Sequence, residues 1–230
     1  MNTPASLENL HPALWRASQL AQAPAAVVDT GYAPLNDVLP GGGWPLGELI
    51  EFCLPQAGIG EIHLLRPSLT ALEAASVVLI QPPYPPCATN WPTQLASSCL
   101  WLRPQHATDA LWAAEQVLRS RSFTVLLLWQ QTLSFQAARR LHLAAQAGRT
   151  LCVLYRPWRA CSQASPASLR LSLQPTPQGL SIHVLKRRGH PHSSPVLLRL
   201  ATRTKASHHG LDSSTFPSFR TRHPHPTLAH

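Results

Sequence analysis

The sequence predicts an α/β fold with a three-layer core, in which helices cover both faces of a mainly parallel sheet. The first observation is a set of short, continuously apolar runs, which are typical of strands buried on both faces. The second is that segments with apolar residues at helical spacing alternate with these runs. The third is a change after Arg159 to apolar–polar alternation, which predicts an antiparallel β-hairpin at the C-terminal end of the core.

The first elements follow from local sequence signals. Proline is favoured in the first turn of a helix, so Pro12 marks the start of a leading helix. The glycine-rich run after Pro40 predicts a turn. In chain order, the sequence predicts a helix at 12–20, an extended piece at 27–29, a short helix at 34–39, a turn at 40–43, the first core strand at 49–54 and a helix from 60 to about 74.

The remaining elements complete the α/β alternation. A helix that ends at Gly148 is expected, because glycine commonly terminates helices. The predicted strands are 76–80, 99–102, 123–129 and 151–155, and the predicted helices are 107–120 and 134–147. The hairpin strands are 169–173 and 180–185, joined by a turn at 175–179, and a last strand covers 195–200. The alternation in the hairpin predicts that one of its faces is exposed to solvent.

Four regions are predicted along the chain. Residues 1–22 form an N-terminal helix and extension, 23–165 the α/β core, 166–200 the hairpin with its added strand, and 201–230 a tail. The tail is basic and rich in histidine, serine and proline, with few residues to bury, and it is therefore predicted to be disordered.

Composition narrows the class of protein. The 44% hydrophobic fraction can supply a core, but no apolar run approaches the roughly 20 residues that cross a bilayer. A basic start and an apolar stretch typical of a signal peptide are both missing, so a cytoplasmic protein without membrane association is expected. The five cysteines are odd in number and lack CxxC spacing, which argues against a disulfide framework and against a zinc site, and no metal is expected.

The charge is unevenly distributed. The formal net charge is +9, yet residues 116–211 hold fourteen basic residues and no acidic residue. This asymmetry predicts a basic face for nucleic acid or for an acidic partner, with a solvated surface as the alternative. Most of these cations are arginine, which suits phosphate or carboxylate recognition.

The segment from Thr30 to Glu51 resembles the entry into a RecA-type ATPase core, which in that family leads into a phosphate-binding loop. In such a loop a lysine contacts the phosphates and a serine or threonine holds magnesium. Here Gly60 and Glu61 stand at those two positions, after Gly58. The resemblance therefore implies a RecA-like (P-loop NTPase-like) core whose nucleotide site, at Gly58, Gly60 and Glu61, is degenerate, with no cofactor.

The acidic residue that a P-loop enzyme needs at the end of a buried strand is also missing. The best candidate strand ends in Trp129, Gln130 and Gln131. No serine, cysteine or lysine stands in a recognisable triad pattern. The chain is accordingly predicted to be non-catalytic, with no catalytic residues.

Three groups of residues are candidates for binding or for a structural turn. Lys186, Arg187 and Arg188 end a predicted strand and are proposed to bind phosphates or an acidic partner patch, the alternative being a charged strand end that deters edge pairing. Arg156 and Arg159 flank Trp158 and are proposed to hold a single strand by charge and stacking, unless Trp158 packs into the core. Gly41, Gly42, Gly43 and Trp44 are interpreted as a structural turn.

Taken together, several motifs make the chain resemble the ImuA family, over about residues 10–200. The motifs are the degenerate loop, the turn at 41–45, the segment 110–116 and the basic segment 185–189. The resemblance implies a non-catalytic accessory subunit of error-prone translesion DNA synthesis in the bacterial SOS response to DNA damage. It implies as partners a Y-family-polymerase-like protein and an error-prone polymerase, with RecA and single-stranded DNA as further candidates.

Two alternatives stay open. The basic region favours a direct single-stranded-DNA-binding accessory. The same family is also described as SulA-like, which leaves a cell-division inhibitor as the other alternative.

Overall fold

The computed structural model describes residues 26–72, 76–86, 99–189 and 191–200. In these ranges the strands are β1 (Val27–Val28), β2 (Trp44–Pro45), β3 (Leu49–Leu54), β4 (Val77–Ile80), β5 (Cys99–Leu102), β6 (Val125–Trp129), β7 (Leu151–Pro157), β8 (Leu169–Thr176), β9 (Gly179–Lys186) and β10 (Val196–Arg199). The helices are α1 (Ala33–Asn36), α2 (Glu61–Ala71), α3 (Ala107–Ser120) and α4 (Phe135–Gln146). Two short 3₁₀ segments cover Pro40–Gly42 and Trp158–Ser162.

The described strands β3 to β10 form a mixed eight-stranded sheet in the order β10-β9-β8-β3-β7-β6-β4-β5. All pairings from β8 to β5 are parallel, whereas β8–β9 and β9–β10 are antiparallel. Strand β3 lies between β7 and β8, and all six of its residues are buried. The predicted α/β class with a mainly parallel sheet is therefore confirmed, and the topology is compatible with a RecA-like fold.

Alternate residues of the central strands pack into two separate apolar cores, one on each face of the sheet. On one face, Ile50 and Phe52 of β3 pack with Leu64 and Leu65 of α2. On the other face, Leu49 belongs to the cluster that α3 and α4 complete. Because both faces are covered, the strands have no solvent side, which explains why their sequences are apolar without alternation.

Helices α3 and α4 begin and end close to where the sequence places them. The hydroxyl of Ser134 accepts a hydrogen bond from the amide of Ala137, so it caps α4. Arg121 ends α3 in the left-handed conformation. Strand β7 is longer than predicted, since its pairing with β3 continues to Pro157.

The prediction that one face of the hairpin is solvated is wrong for β8. Arg170 and Ser172, the polar residues of the alternating pattern, are 7% and 0% exposed. The physical reason is the pairing of β8 with the central strand β3, which brings Arg170 directly opposite Glu51 and under the 3₁₀ segment. The predicted helix at 12–20 and the tail at 201–230 lie outside the described residues.

Candidate functional site

The loop between β3 and α2, at the carboxyl edge of the sheet, is hydrogen-bonded to the side chain of the residue that follows it. Gly58 and Gly60 both have left-handed backbone conformations, with φ of 84° and 108°. Oε1 of Glu61 accepts from the amide N of Gly58 at 2.9 Å, and Oε2 accepts from the amide N of Gly60 at 3.1 Å. The Glu61 residue is only 3% exposed. Its carboxylate therefore accepts the hydrogen bonds that the amide groups of the loop could otherwise donate to an external anion.

Physical chemistry favours this arrangement. Glu61 is the first residue of α2, where the free N–H groups and the positive end of the helix dipole stabilise a negative charge. The same features bind phosphate at other helix N-termini. In this loop the amides of Gly58 and Gly60 are already engaged by the Glu61 carboxylate. The charge of Glu61 adds to burial in raising the pKa of Tyr155 well above its usual value.

A cavity of about 220 Å³ lies beside the loop. Apolar side chains dominate its walls, with Tyr84 and Trp129 supplying aromatic rings. Lysine and arginine are absent among the described residues that line it. The described residues that line it are Gly58, Gly60, Glu61, Ile62, His63, Leu79, Pro82, Pro83, Tyr84, Pro85, Pro86 and Trp129. Within the described part of the lining, the cavity thus offers no lysine or arginine to balance a triphosphate.

The carboxyl end of β6 carries amides where an acidic side chain would be needed to hold a metal ion. Gln130 is 4% exposed, and its Nε2 donates to Oε1 of Gln81 at 2.7 Å. Gln81 directly follows β4, so the hydrogen bond joins two neighbouring strand ends. An amide pair binds a divalent cation less strongly than carboxylates do, because it carries no charge.

A buried ion cluster lies on the face of β3 opposite to the one that α2 covers. Glu51 is 0% exposed; its Oε1 lies 3.1 Å from Nη2 of Arg170 and 3.9 Å from Nη1 of Arg156. The hydroxyl of Ser165 donates to Oε2 of Glu51. Sequence reasoning did not identify Glu51 or Arg170. The only signal was a glutamate inside an otherwise apolar strand, which calls for a buried partner.

The two arginines proposed to bind a partner or DNA differ in burial. Arg156 is 5% exposed, and its Nη2 donates to the side chain of Gln163 at 2.9 Å, so it belongs to the buried cluster. Burial lowers the pKa of Arg156, and the Glu51 charge opposes that shift. Arg159 is exposed, and Trp158 beside it is 43% exposed. Trp158 is therefore not a core residue, and an exposed aromatic–arginine pair remains on the 3₁₀ segment.

The three basic residues at the end of β9 all have intramolecular contacts. Nζ of Lys186 donates to the carbonyl of Ser165 at 2.9 Å, and Arg187 donates to the carbonyl of Val38. Nη1 of Arg188 lies 2.7 Å from Oε1 of Glu48. Lys186 and Arg188 are nevertheless exposed, so part of this cluster faces solvent.

The residues interpreted as a structural turn follow α1 and continue into Trp44, the first residue of β2. Gly41 and Gly42 have φ of 76° and 78°, a conformation that favours glycine. A Cβ at Gly43 would lie 2.4 Å from the carbonyl oxygen of Val28, which only glycine tolerates. Trp44 is fully buried and packs at 5.5 Å against the ring of Phe52.

Within the described ranges, no three histidine, cysteine or acidic side chains are grouped to hold a metal ion. None of the helices described is both long and apolar enough to cross a membrane.

The fold and the site define an α/β protein with a mainly parallel sheet and an internally occupied loop after its central strand. No protein-family model matches the chain. A stretch of 56 residues is 43% identical to the cell division inhibitor SulA of Edwardsiella piscicida. The match covers 24% of this chain and 33% of that protein, so it is a partial likeness.

Proposed function

We propose that this chain is a non-catalytic accessory protein of the bacterial SOS response, built on a RecA-like core with a degenerate nucleotide site. The observation that carries the proposal is the Glu61 carboxylate on the amides of Gly58 and Gly60. With an internal anion there, and no lysine or arginine among the described residues that line the adjacent cavity, the loop is unsuited to a triphosphate. The protein then acts through binding rather than through nucleotide chemistry.

The partner that we propose is a Y-family-polymerase-like protein of error-prone translesion synthesis. The resemblance of the sequence to the ImuA family supports this assignment. The exposed basic end of β9, with Lys186 and Arg188, supplies a surface for an acidic partner patch. An error-prone polymerase of the same complex is the second proposed partner.

A cell-division inhibitor is the second candidate function. The observation that favours it is the partial likeness to SulA of Edwardsiella piscicida. The likeness covers a third of that protein, so an inhibitory surface carried elsewhere in SulA would have no counterpart in the match. Both candidates place the chain in the SOS response and differ in the partner.

Co-purification with the polymerase-like protein encoded by the same bacterium tests the first candidate. We would compare the full chain with a triple variant, Lys186→Gln, Arg187→Gln and Arg188→Gln. The matched control, Arg119→Gln, Arg121→Gln and Arg149→Gln, removes the same charge elsewhere. We expect the full chain and the control to retain the partner and the triple variant to lose it. A truncation after Leu185 is a poor test, because it removes β10, whose Val196 and Leu198 are buried.

The outcomes separate the candidates. Equal retention by all three proteins keeps the accessory function and moves its interface away from the end of β9. No retention by a folded full chain contradicts the first candidate. Filamentous growth on expression, in cells that lack the polymerase-like protein, would then support division inhibition.

A further inference from the structure

An open, polar depression of about 360 Å³ lies where β6 and β7 end, next to the start of α4. Side chains with hydroxyl, amide or guanidinium groups supply much of its wall. The described residues that line it are Leu111, Gln131, Thr132, Leu133, Ser134, Ala137, Arg156, Arg159 and Gln163, none of them acidic. Asp109, in the first turn of α3, is exposed and is not among them.

One wall of the depression carries an excess of buried positive charge. The single carboxylate of Glu51 faces the guanidinium groups of both Arg156 and Arg170. The side chain of Arg156 is 4% exposed, and its Nε has no hydrogen-bond partner among the described residues. A buried charge without full compensation is costly, and a nearby anion reduces that cost.

A second wall is the N-terminus of α4. Helix N-termini carry N–H groups without intrahelical partners and the positive end of the dipole; in α4 the hydroxyl of Ser134 already accepts from the amide of Ala137. The first turn of α4 contains no acidic residue, and Ser134, its capping residue, lines the depression. Arg159 is exposed at the rim and supplies a second guanidinium. Two independent features, a buried arginine and a helix N-terminus, therefore line the same depression.

We propose that this depression binds a carboxylate of an acidic segment in a partner protein. Arginine matches the planar geometry of a carboxylate in bidentate pairs. Phe135 and Trp158, which are 48% and 43% exposed, directly follow Ser134 and directly precede Arg159, so apolar neighbours of the acidic residue have a surface to contact. This proposal rests on the proposed function, because it assumes that the chain acts by binding a partner protein.

A nucleic-acid backbone fits the surrounding charges less well. Following a phosphate backbone requires a row of free cations. On the described helices α3 and α4, Arg119 and Arg140 are instead paired with Glu115. This pairing favours the carboxylate of a protein segment over a phosphate backbone as the anion bound in the depression.

Fluorescence anisotropy with labelled probes tests the proposal on the full chain. The probe is a short peptide with two aspartates between two phenylalanines, and its counterpart carries asparagines instead. We expect the acidic peptide to bind, and Arg159→Gln to weaken it about tenfold or more, as the loss of a charge-assisted hydrogen bond does. Arg149→Gln removes the same charge at an exposed position at the opposite end of β7 and is expected to change affinity less than about twofold.

Three results would overturn the carboxylate site: equal binding of both peptides, equal weakening by the two variants, or binding of oligothymidylate through Arg159 without binding of the acidic peptide. If the acidic peptide fails while the polymerase-like protein still co-purifies, the site is wrong and the accessory function stands. If the peptide binds and the polymerase-like protein does not, the site stands and the accessory function is wrong.

Discussion

At the scale of single residues, Glu61 changes the chemistry of the loop after β3. A backbone conformation that often binds an external anion is here satisfied by a side chain three residues from Gly58. The hydrogen bonds from the loop amides to Glu61 need no ligand, so they hold the loop in place in the unliganded protein. Glu61 is consequently a stabilising residue, and its energetic contribution can be measured.

Glu61→Ala is expected to lower the free energy of unfolding by about 1–3 kcal/mol, because it leaves the amides of Gly58 and Gly60 without their acceptor. Glu61→Gln retains an acceptor oxygen and should cost less. Urea denaturation of the variants measures the difference. Asp109→Ala is the matched control, since Asp109 is an exposed acidic residue in the first turn of α3 and its loss should cost about 0.3–1 kcal/mol. Equal effects of Glu61→Ala and Asp109→Ala would contradict the assigned contact.

At the scale of elements, the Glu51 cluster joins strands that are distant in sequence. Glu51 on β3 pairs with Arg170 on β8, and Arg170 also donates from Nη2 to the carbonyl of Ala160 at 2.8 Å. The cluster thereby ties the sheet to the 3₁₀ segment that carries Trp158 and Arg159. Removal of either partner leaves a buried charge behind, which is the costly case for a buried ion pair.

Arg170→Met is expected to destabilise the protein by about 3–5 kcal/mol, since among the described residues Glu51 then keeps the more distant Arg156 as its charged partner. In the double variant Glu51→Gln with Arg170→Met, the loss should be smaller than the sum of the single losses by about 0.5–3 kcal/mol. Chemical denaturation of the four proteins closes the cycle. Glu115→Gln is the comparison, because the arginines that pair with Glu115 are 58% and 56% exposed and the cost should stay within about 1 kcal/mol. Additive losses at Glu51 and Arg170 would show that the pair is not coupled.

Helices and strands were predictable where the local sequence determines them. The candidate site in the loop after β3 was predictable only in part. Strand β3 was placed at its observed limits, because a run of six buried residues needs no knowledge of its neighbours. The burial of Arg170 was missed, because it depends on β8 lying beside β3, which the alternation in β8 does not specify. The acidic residue after Gly60 was visible in the sequence, whereas the hydrogen bonds of its carboxylate depend on side-chain and loop geometry.

At the scale of the whole molecule, the stability is expected to depend on pH through His142. The amide N of Leu49 donates to Nδ1 of His142 at 3.3 Å, which requires an unprotonated nitrogen and links α4 to β3. Burial lowers the pKa of His142; the charge of Glu48 opposes this shift, and those of Arg188 and Lys186 add to it. Because the folded pKa lies below the unfolded one, the unfolded chain takes up the proton first as the pH falls.

The contribution of His142 to stability is therefore expected to be complete above pH ~6.5, the unfolded pKa, and to be lost as the pH falls through the lower folded pKa. Denaturation at a series of pH values between about 5 and 8 measures it. The variant His142→Gln keeps an acceptor and does not titrate, so its stability should fall less over this range. Identical pH profiles for the two proteins would assign the dependence to other groups.

The strand order also has a consequence for how the protein is made. Strand β3 ends at Leu54, but its neighbours β7 and β8 begin only at Leu151 and Leu169. At about 5–20 residues per second, a ribosome delivers them on the order of 10 s later. During that interval an apolar strand with two open edges is present in the nascent chain, the kind of segment that associates with other chains. The yield of folded protein should thus depend on how well β3 is shielded during synthesis.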